Sequence, residues 1–146
     1  MSNTSFEHKI EAVVATLTIK PTFTGGSWYK ANILLEKLTL PAVIYITPIS
    51  GDLLRAGNIF LDAPNCLLAF VDKIDMDAPW EQSVECLDRM KKLAEEFIFR
   101  AEQSYFKHID NPHYSVLEDR TDVNLCGIVL EAKIEERQGT NTCTFS

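Results

Sequence analysis

The chain has 146 residues, of which 46% are hydrophobic, 24% charged and 10% aromatic, with six Gly and six Pro. This is the length of one domain with enough apolar material for a core, so a disordered, collagen-like or low-complexity chain is excluded, as are two full domains. Fourteen Lys and Arg against twenty-one Asp and Glu leave a net charge of -7, a poor balance for neutralising a phosphate backbone.

Phe6, Ile10, Val13, Val14 and Leu17 recur at the spacing of one helix face and predict a helix over about 5–18, opened by a capping box in Thr4-Ser5-Phe6-Glu7. Pro21 and Gly25-Gly26 then break the pattern. An extended arm is expected at 20–37, its second half, Trp28 to Lys37, a short helix. Ala42 to Thr47 is rich in β-branched and aromatic residues and apolar on both faces, which predicts a central strand. From Ile49 to Asn65 the turn chemistries Gly51-Asp52, Ala56-Gly57-Asn58 and Ala63-Pro64-Asn65 surround Ile59-Phe60-Leu61 and predict a hairpin. Cys66 to Val71 is a second buried strand, ended by Asp72-Lys73.

Asp77 as cap and Pro79 in the first turn start the longest helix, over about 79–105. Val84, Leu87, Met90, Ala94, Phe97, Ile98, Ala101 and Tyr105 line its apolar side. Asn111-Pro112 marks a turn, and His113 to Leu117 a modest strand. A long strand follows over about 123–135, apolar on both sides at first and on one side later. Its outer half is expected to project with an unpaired edge that another chain can join. A polar tail occupies 139–146. The pattern predicts one α+β (α/β) domain over 1–146: a mainly antiparallel sheet packed against an N-terminal helix and one long helix.

Residues suited to chemistry are few. Cys66, Cys86, Cys126 and Cys143 lie twenty, forty and seventeen residues apart with no CxxC, which reads as reduced thiols, the first three of them in apolar stretches. Asp72, Asp75 and Asp77, with Glu81 beyond, form an acidic cluster that suggests a Mg²⁺- or Ca²⁺-dependent enzyme as an alternative function, but Ala78-Pro79 stands where an EF-hand needs its turn glycine. His108, Asp110 and His113 match no metal-ligand spacing. Gly25-Gly26-Ser27 lacks the Lys-Ser/Thr of a phosphate loop, and no G-x-S-x-G elbow occurs. No catalytic, cofactor or metal residue is therefore nominated. Arg89, Lys91 and Lys92 are the only basic cluster, explained by ion pairs to Glu85 and Glu96. Phe23, Trp28 and Tyr29 offer aromatic contact surface, better suited to burial against the sheet or against a neighbouring subunit than to a base without a basic groove. The N-terminus reads as carrying no export signal, and no apolar run approaches the roughly 20 residues of a membrane span.

Four strings in this order carry a resemblance to a known family: Leu40-Pro41-Ala42-Val43-Ile44-Tyr45, Leu68-Ala69-Phe70-Val71-Asp72-Lys73-Ile74-Asp75, Met90-Lys91-Lys92-Leu93-Ala94-Glu95-Glu96-Phe97-Ile98, and Asp122-Val123-Asn124-Leu125-Cys126-Gly127-Ile128. The chain resembles the small tail-completion, terminator and head-to-tail connector proteins of tailed bacteriophages, in the form found in phages of Bacteroides-type gut bacteria, including crAss-like phages. Cys126 departs from the hydroxyl residue expected before the glycine. The resemblance implies a structural virion protein of the neck or tail with no enzyme activity and no cofactor, assembled in the bacterial host cytoplasm. It also implies a six- or twelve-fold homo-oligomeric ring around the DNA channel, with portal-side and tail-side neighbours, no specific nucleic-acid binding and no membrane. Candidates for the contact between subunits are Phe23, Trp28 and Tyr29 on the arm and Glu131, Lys133 and Glu135 on the last strand.

Overall fold

The computed structural model describes residues 5–26, 39–47, 50–74, 79–116 and 125–137. Helix α1 (Phe6–Ala15) starts at Ser5, whose Oγ accepts the His8 N–H at 3.2 Å. The cap is thus Ser5, and Thr4 lies outside the described residues. Phe6, Ile10, Val13 and Val14 bury the expected face, and Leu17 continues it just past the helix end. Lys9 shares that buried face.

Six strands follow, β1 (Thr22–Gly26), β2 (Ala42–Ile46), β3 (Gly51–Ala56), β4 (Ile59–Lys73), β5 (His113–Val116) and β6 (Leu125–Lys133), with α2 (Trp80–Gln103) between β4 and β5. The architecture is α+β, a mostly antiparallel sheet with an N-terminal helix and one long helix. Strand order is β1-β2-β4-β6-β5, and β3 pairs with β4 off this path. One pairing, β1 with β2, is parallel. The first part of the expected arm is therefore an edge strand, held by ladder bonds from Thr22 opposite Ala42 to Gly26 opposite Ile46. The expected helix at Trp28 to Lys37 falls outside the described residues.

The spine is β4, fifteen residues long and about 50 Å at the usual strand rise. Ala63-Pro64-Asn65, expected as a turn, lies inside it. Pro64 has no N–H to give, and its place in the ladder asks for none: its carbonyl accepts the Ile134 N–H at 3.2 Å, and the neighbouring Asn65 N–H reaches Ser50 O at 3.0 Å. The β3–β4 hairpin closes in two residues, Gly57 and Asn58, with Gly57 at φ +66°, a value open to glycine in the first position of such a turn. Since 134–136 runs along the other side of 62–64, β2 and β3 are successive pieces on one edge of β4, separated at 47–50.

Strand β6 pairs with β4 along its whole length and with β5 from Ile128 to Glu131. Its edge toward β4 is thus paired throughout, whereas on the other edge the pairing with β5 stops at Glu131 and residues 135 and 137 bond instead to 107 and 105. The long-range pairing with β4, which starts sixty-six residues earlier at Ile59, is invisible to local pattern. At Gly127 the two strands approach so closely that a Cβ would collide with the Phe70 carbonyl oxygen and lie 3.0 Å from Val71 Cα.

Both helices cover one face of the sheet. Phe6, Ile10, Val43, Leu68, Phe70 and Phe97 belong to this main core. A second buried cluster, Ala42, Ile44, Ile46, Ala69, Val71 and Val129, occupies the opposite face. Helix α2 begins with Pro79 as N-cap, without a side-chain cap bond, and the expected cap Asp77 lies outside the described residues. Cys86 of α2 and Cys126 of β6 form a disulfide, their Cα atoms 6.3 Å apart. This corrects the reading of both as reduced thiols: the packed faces of α2 and β6 join two positions that sequence spacing leaves unrelated. Cys66 remains a buried free thiol, as expected, and Cys143 lies outside the described residues. Among the described residues no helix is long and apolar enough to cross a membrane.

Candidate functional site

The nominated contact residues are placed as follows. Phe23 is half-buried and packs on the main core, while Trp28 and Tyr29 lie outside the described residues. Glu131 is exposed on β6 between Leu67 and His113. Lys133 is ion-paired with Asp52 of β3, and Glu135 lies 3.6 Å from Lys107. Asp72 accepts the Lys73 N–H and pairs with Arg89 at 3.4 Å. Its expected companions Asp75 and Asp77 lie outside the described residues, among which no group of three His, Cys, Asp or Glu is placed to hold a metal ion. Arg89 thus reaches Asp72 across to β4, while Glu96 takes Arg100 at 3.2 Å. His108 sits between Glu102 (2.6 Å) and Asp110 (3.2 Å) on the exposed surface, apart from His113 on β5.

A cleft of about 680 Å³ opens where β1 and β2 end and β3 begins. On β2, residues alternate between the two faces of the sheet, so Val43 and Tyr45 point to the helix side. Gly25 stands opposite Tyr45 in the parallel ladder. A Cβ there would meet the Tyr45 carbonyl oxygen at 3.3 Å, so the glycine leaves room beside the ring. Phe23 and Tyr45 give the cleft an aromatic wall, Glu7 enters from the first turn of α1, and Asp62 stands on β4. Asp52 and Leu53 of β3 form part of the rim.

Neither Glu7 nor Asp62 makes a salt bridge among the described residues, the charge of the adjacent His8 acts only as a minor influence on Glu7, and no Lys, Arg or His lines the cleft. Burial raises the Glu7 carboxyl above its usual range, with the charge of Asp62 adding to the effect. Burial likewise raises Asp62, with Glu136 adding. Tyr45 is 5% exposed, and its hydroxyl has no hydrogen-bond partner among the described residues. Burial pushes the phenol well above its normal value, and Cys66, Glu7 and Asp62 push it further. Buried polar atoms are nearly always bonded, so an orphaned hydroxyl is informative.

Beneath the cleft lies a second polar set. Lys9 Nζ meets Glu136 Oε2 at 2.6 Å, both side chains almost wholly buried. The other carboxylate oxygen of Glu136 accepts the Asp62 N–H at 2.6 Å, and the Glu136 N–H donates to Asp62 O at 3.0 Å. Sequence reasoning missed both sets. The signal for Lys9 was present, a charged residue on the apolar stripe between Phe6 and Ile10, whereas its partner lies 127 residues away.

No protein-family model matches the chain, and no curated protein matches it in sequence.

Proposed function

We propose that the chain is a structural subunit of a homo-oligomeric ring in the head-to-tail connector or tail of a tailed bacteriophage. The observation that carries this reading is a pair of unlike apolar surfaces at separate places on the sheet. On the β3–β4 hairpin, Leu53 is 71% exposed and Phe60 39%. On the outermost described strand at the other side, β5, Tyr114 and Val116 are 45% and 46% exposed. Two different surfaces that fit one another make a heterologous contact, and such a contact repeated by rotation closes a ring. The net charge of -7 suits a channel through which DNA slides without sticking.

Mass photometry of the purified protein tests the reading. The expected result is one closed species of six or twelve subunits, reduced to monomers by Leu53→Asp. A monomer at every concentration overturns it. Mass spectrometry of purified virions adds the second arm: a packaged subunit appears at a fixed ratio to the portal, and a non-packaged binding protein does not.

A further inference from the structure

The cleft beside Tyr45 is built from residues of five elements, and its chemistry is one-sided. Glu7 and Asp62 bring two carboxylates that form no salt bridge among the described residues, and the third, Asp52, is taken by Lys133 at the rim. Phe23 and Tyr45 supply aromatic faces, which attract cations through the ring quadrupole. Gly25 keeps the space beside Tyr45 open. The Tyr45 hydroxyl, buried and unbonded, adds an unused hydrogen-bonding group next to the carboxylates.

We propose that this cleft binds an alkyl cation, a guanidinium or ammonium group on an apolar stem, with the charge held by Glu7 and Asp62 and the stem laid along Phe23 and Gly25. The volume of about 680 Å³ falls within the usual range for small-ligand sites. An anion is repelled by both carboxylates. A guanidinium carries five N–H donors in a planar fork, enough to serve both carboxylates together. Partial burial, with the charge of Asp62 acting on Glu7 and that of Glu136 on Asp62, raises both carboxyls, and a bound cation favours their charged forms. The cation comes either as a free alkyl amine or as a Lys or Arg side chain presented by a peptide segment. This inference does not depend on the ring reading, since the cleft belongs to one subunit.

Isothermal titration at neutral pH with agmatine, with the capped tripeptide acetyl-Ala-Arg-Ala-amide and with neutral butylurea separates the outcomes. Saturable binding with a dissociation constant on the order of 1 mM is expected for the cation probes, given their size and the partial exposure of the site. The double variant Glu7→Gln/Asp62→Asn is expected to weaken it at least tenfold. The control Asp88→Asn/Glu95→Gln removes the same charge from the exposed face of α2 and leaves binding unchanged. Gly25→Ala narrows the cleft without touching charge and also weakens binding. Tripeptide binding without agmatine binding assigns the cation to a peptide side chain, and agmatine binding alone assigns it to a free amine. The proposal is overturned if neither cation binds, if butylurea binds as well as agmatine, or if both double variants weaken binding equally.

Discussion

Lys9 and Glu7 leave the same first turn of α1 and enter opposite kinds of surroundings. Lys9 points into the core and meets Glu136, whose second oxygen is bonded to the Asp62 N–H, so this set is closed. Glu7 lines the cleft with Asp62 and Tyr45, where, among the described residues, two carboxylates form no salt bridge and one hydroxyl has no hydrogen bond. The closed set ties the segment after β6 to α1 and β4. The open set ties nothing, and its members are costly as they stand. Stability and binding thus divide between neighbouring residues of one turn.

The largest effect is expected where the closed set is broken. Lys9→Met leaves Glu136 buried without its cation, and such losses cost about 3–5 kcal/mol. Urea unfolding at neutral pH measures it. Lys9→Met/Glu136→Gln removes both charges while keeping an acceptor for the Asp62 N–H, and is expected to recover most of the loss. A double variant as unstable as the single one breaks the comparison, because the cost then comes from packing alone.

The open set responds with the opposite sign. Tyr45→Phe deletes a hydroxyl that bonds to nothing, and removing an unsatisfied buried polar atom stabilises by about 1 kcal/mol. A midpoint lowered by that variant means that the hydroxyl has a partner in solution. Between these two in size is the tie of Glu96 to the Thr18 N–H and hydroxyl, 3.2 and 2.7 Å, which joins α2 to the chain after α1. Losing charged hydrogen bonds of this kind in Glu96→Gln costs about 1–2 kcal/mol.

The smallest effect is in the pH profile. Burial, and then the charge of Glu136, holds the folded-state Asp62 carboxyl above its unfolded value. The folded chain therefore binds more protons in that interval, and stability falls as pH rises through it. Hydrogen bonding to Thr18 lowers the Glu96 carboxyl, so its contribution is present above the ordinary carboxylate range and is lost as pH falls below it. A stability maximum in mildly acid solution is expected. Asp62→Asn should flatten the decline toward neutral pH and leave the acid limb as it was.

Much of the fold was legible in the sequence because it rests on local periodicity. The α1 face, the apolar β2, the long α2 and the strands around 113–116 and 125–133 all follow from it. Ala63-Pro64-Asn65 misled because turn chemistry is a local rule, whereas β4 passes through Pro64 at a point where no N–H is needed. The parallel pairing of β1 and the Cys86–Cys126 bond depend on contacts between distant segments. The cleft was legible only in fragments: Phe23 and Gly25-Gly26 drew notice, each for a role in other chemistry. Glu7 reads as a helix-start residue and Tyr45 as a core residue, and only the strand order shows them facing one space.

The most direct test of the contrast between the closed and open sets is a crystal structure of the protein grown with agmatine. The account predicts a guanidinium between the Glu7 and Asp62 carboxylates, with the Lys9–Glu136 pair undisturbed. An empty cleft in which Tyr45 bonds to a group of its own chain would contradict it.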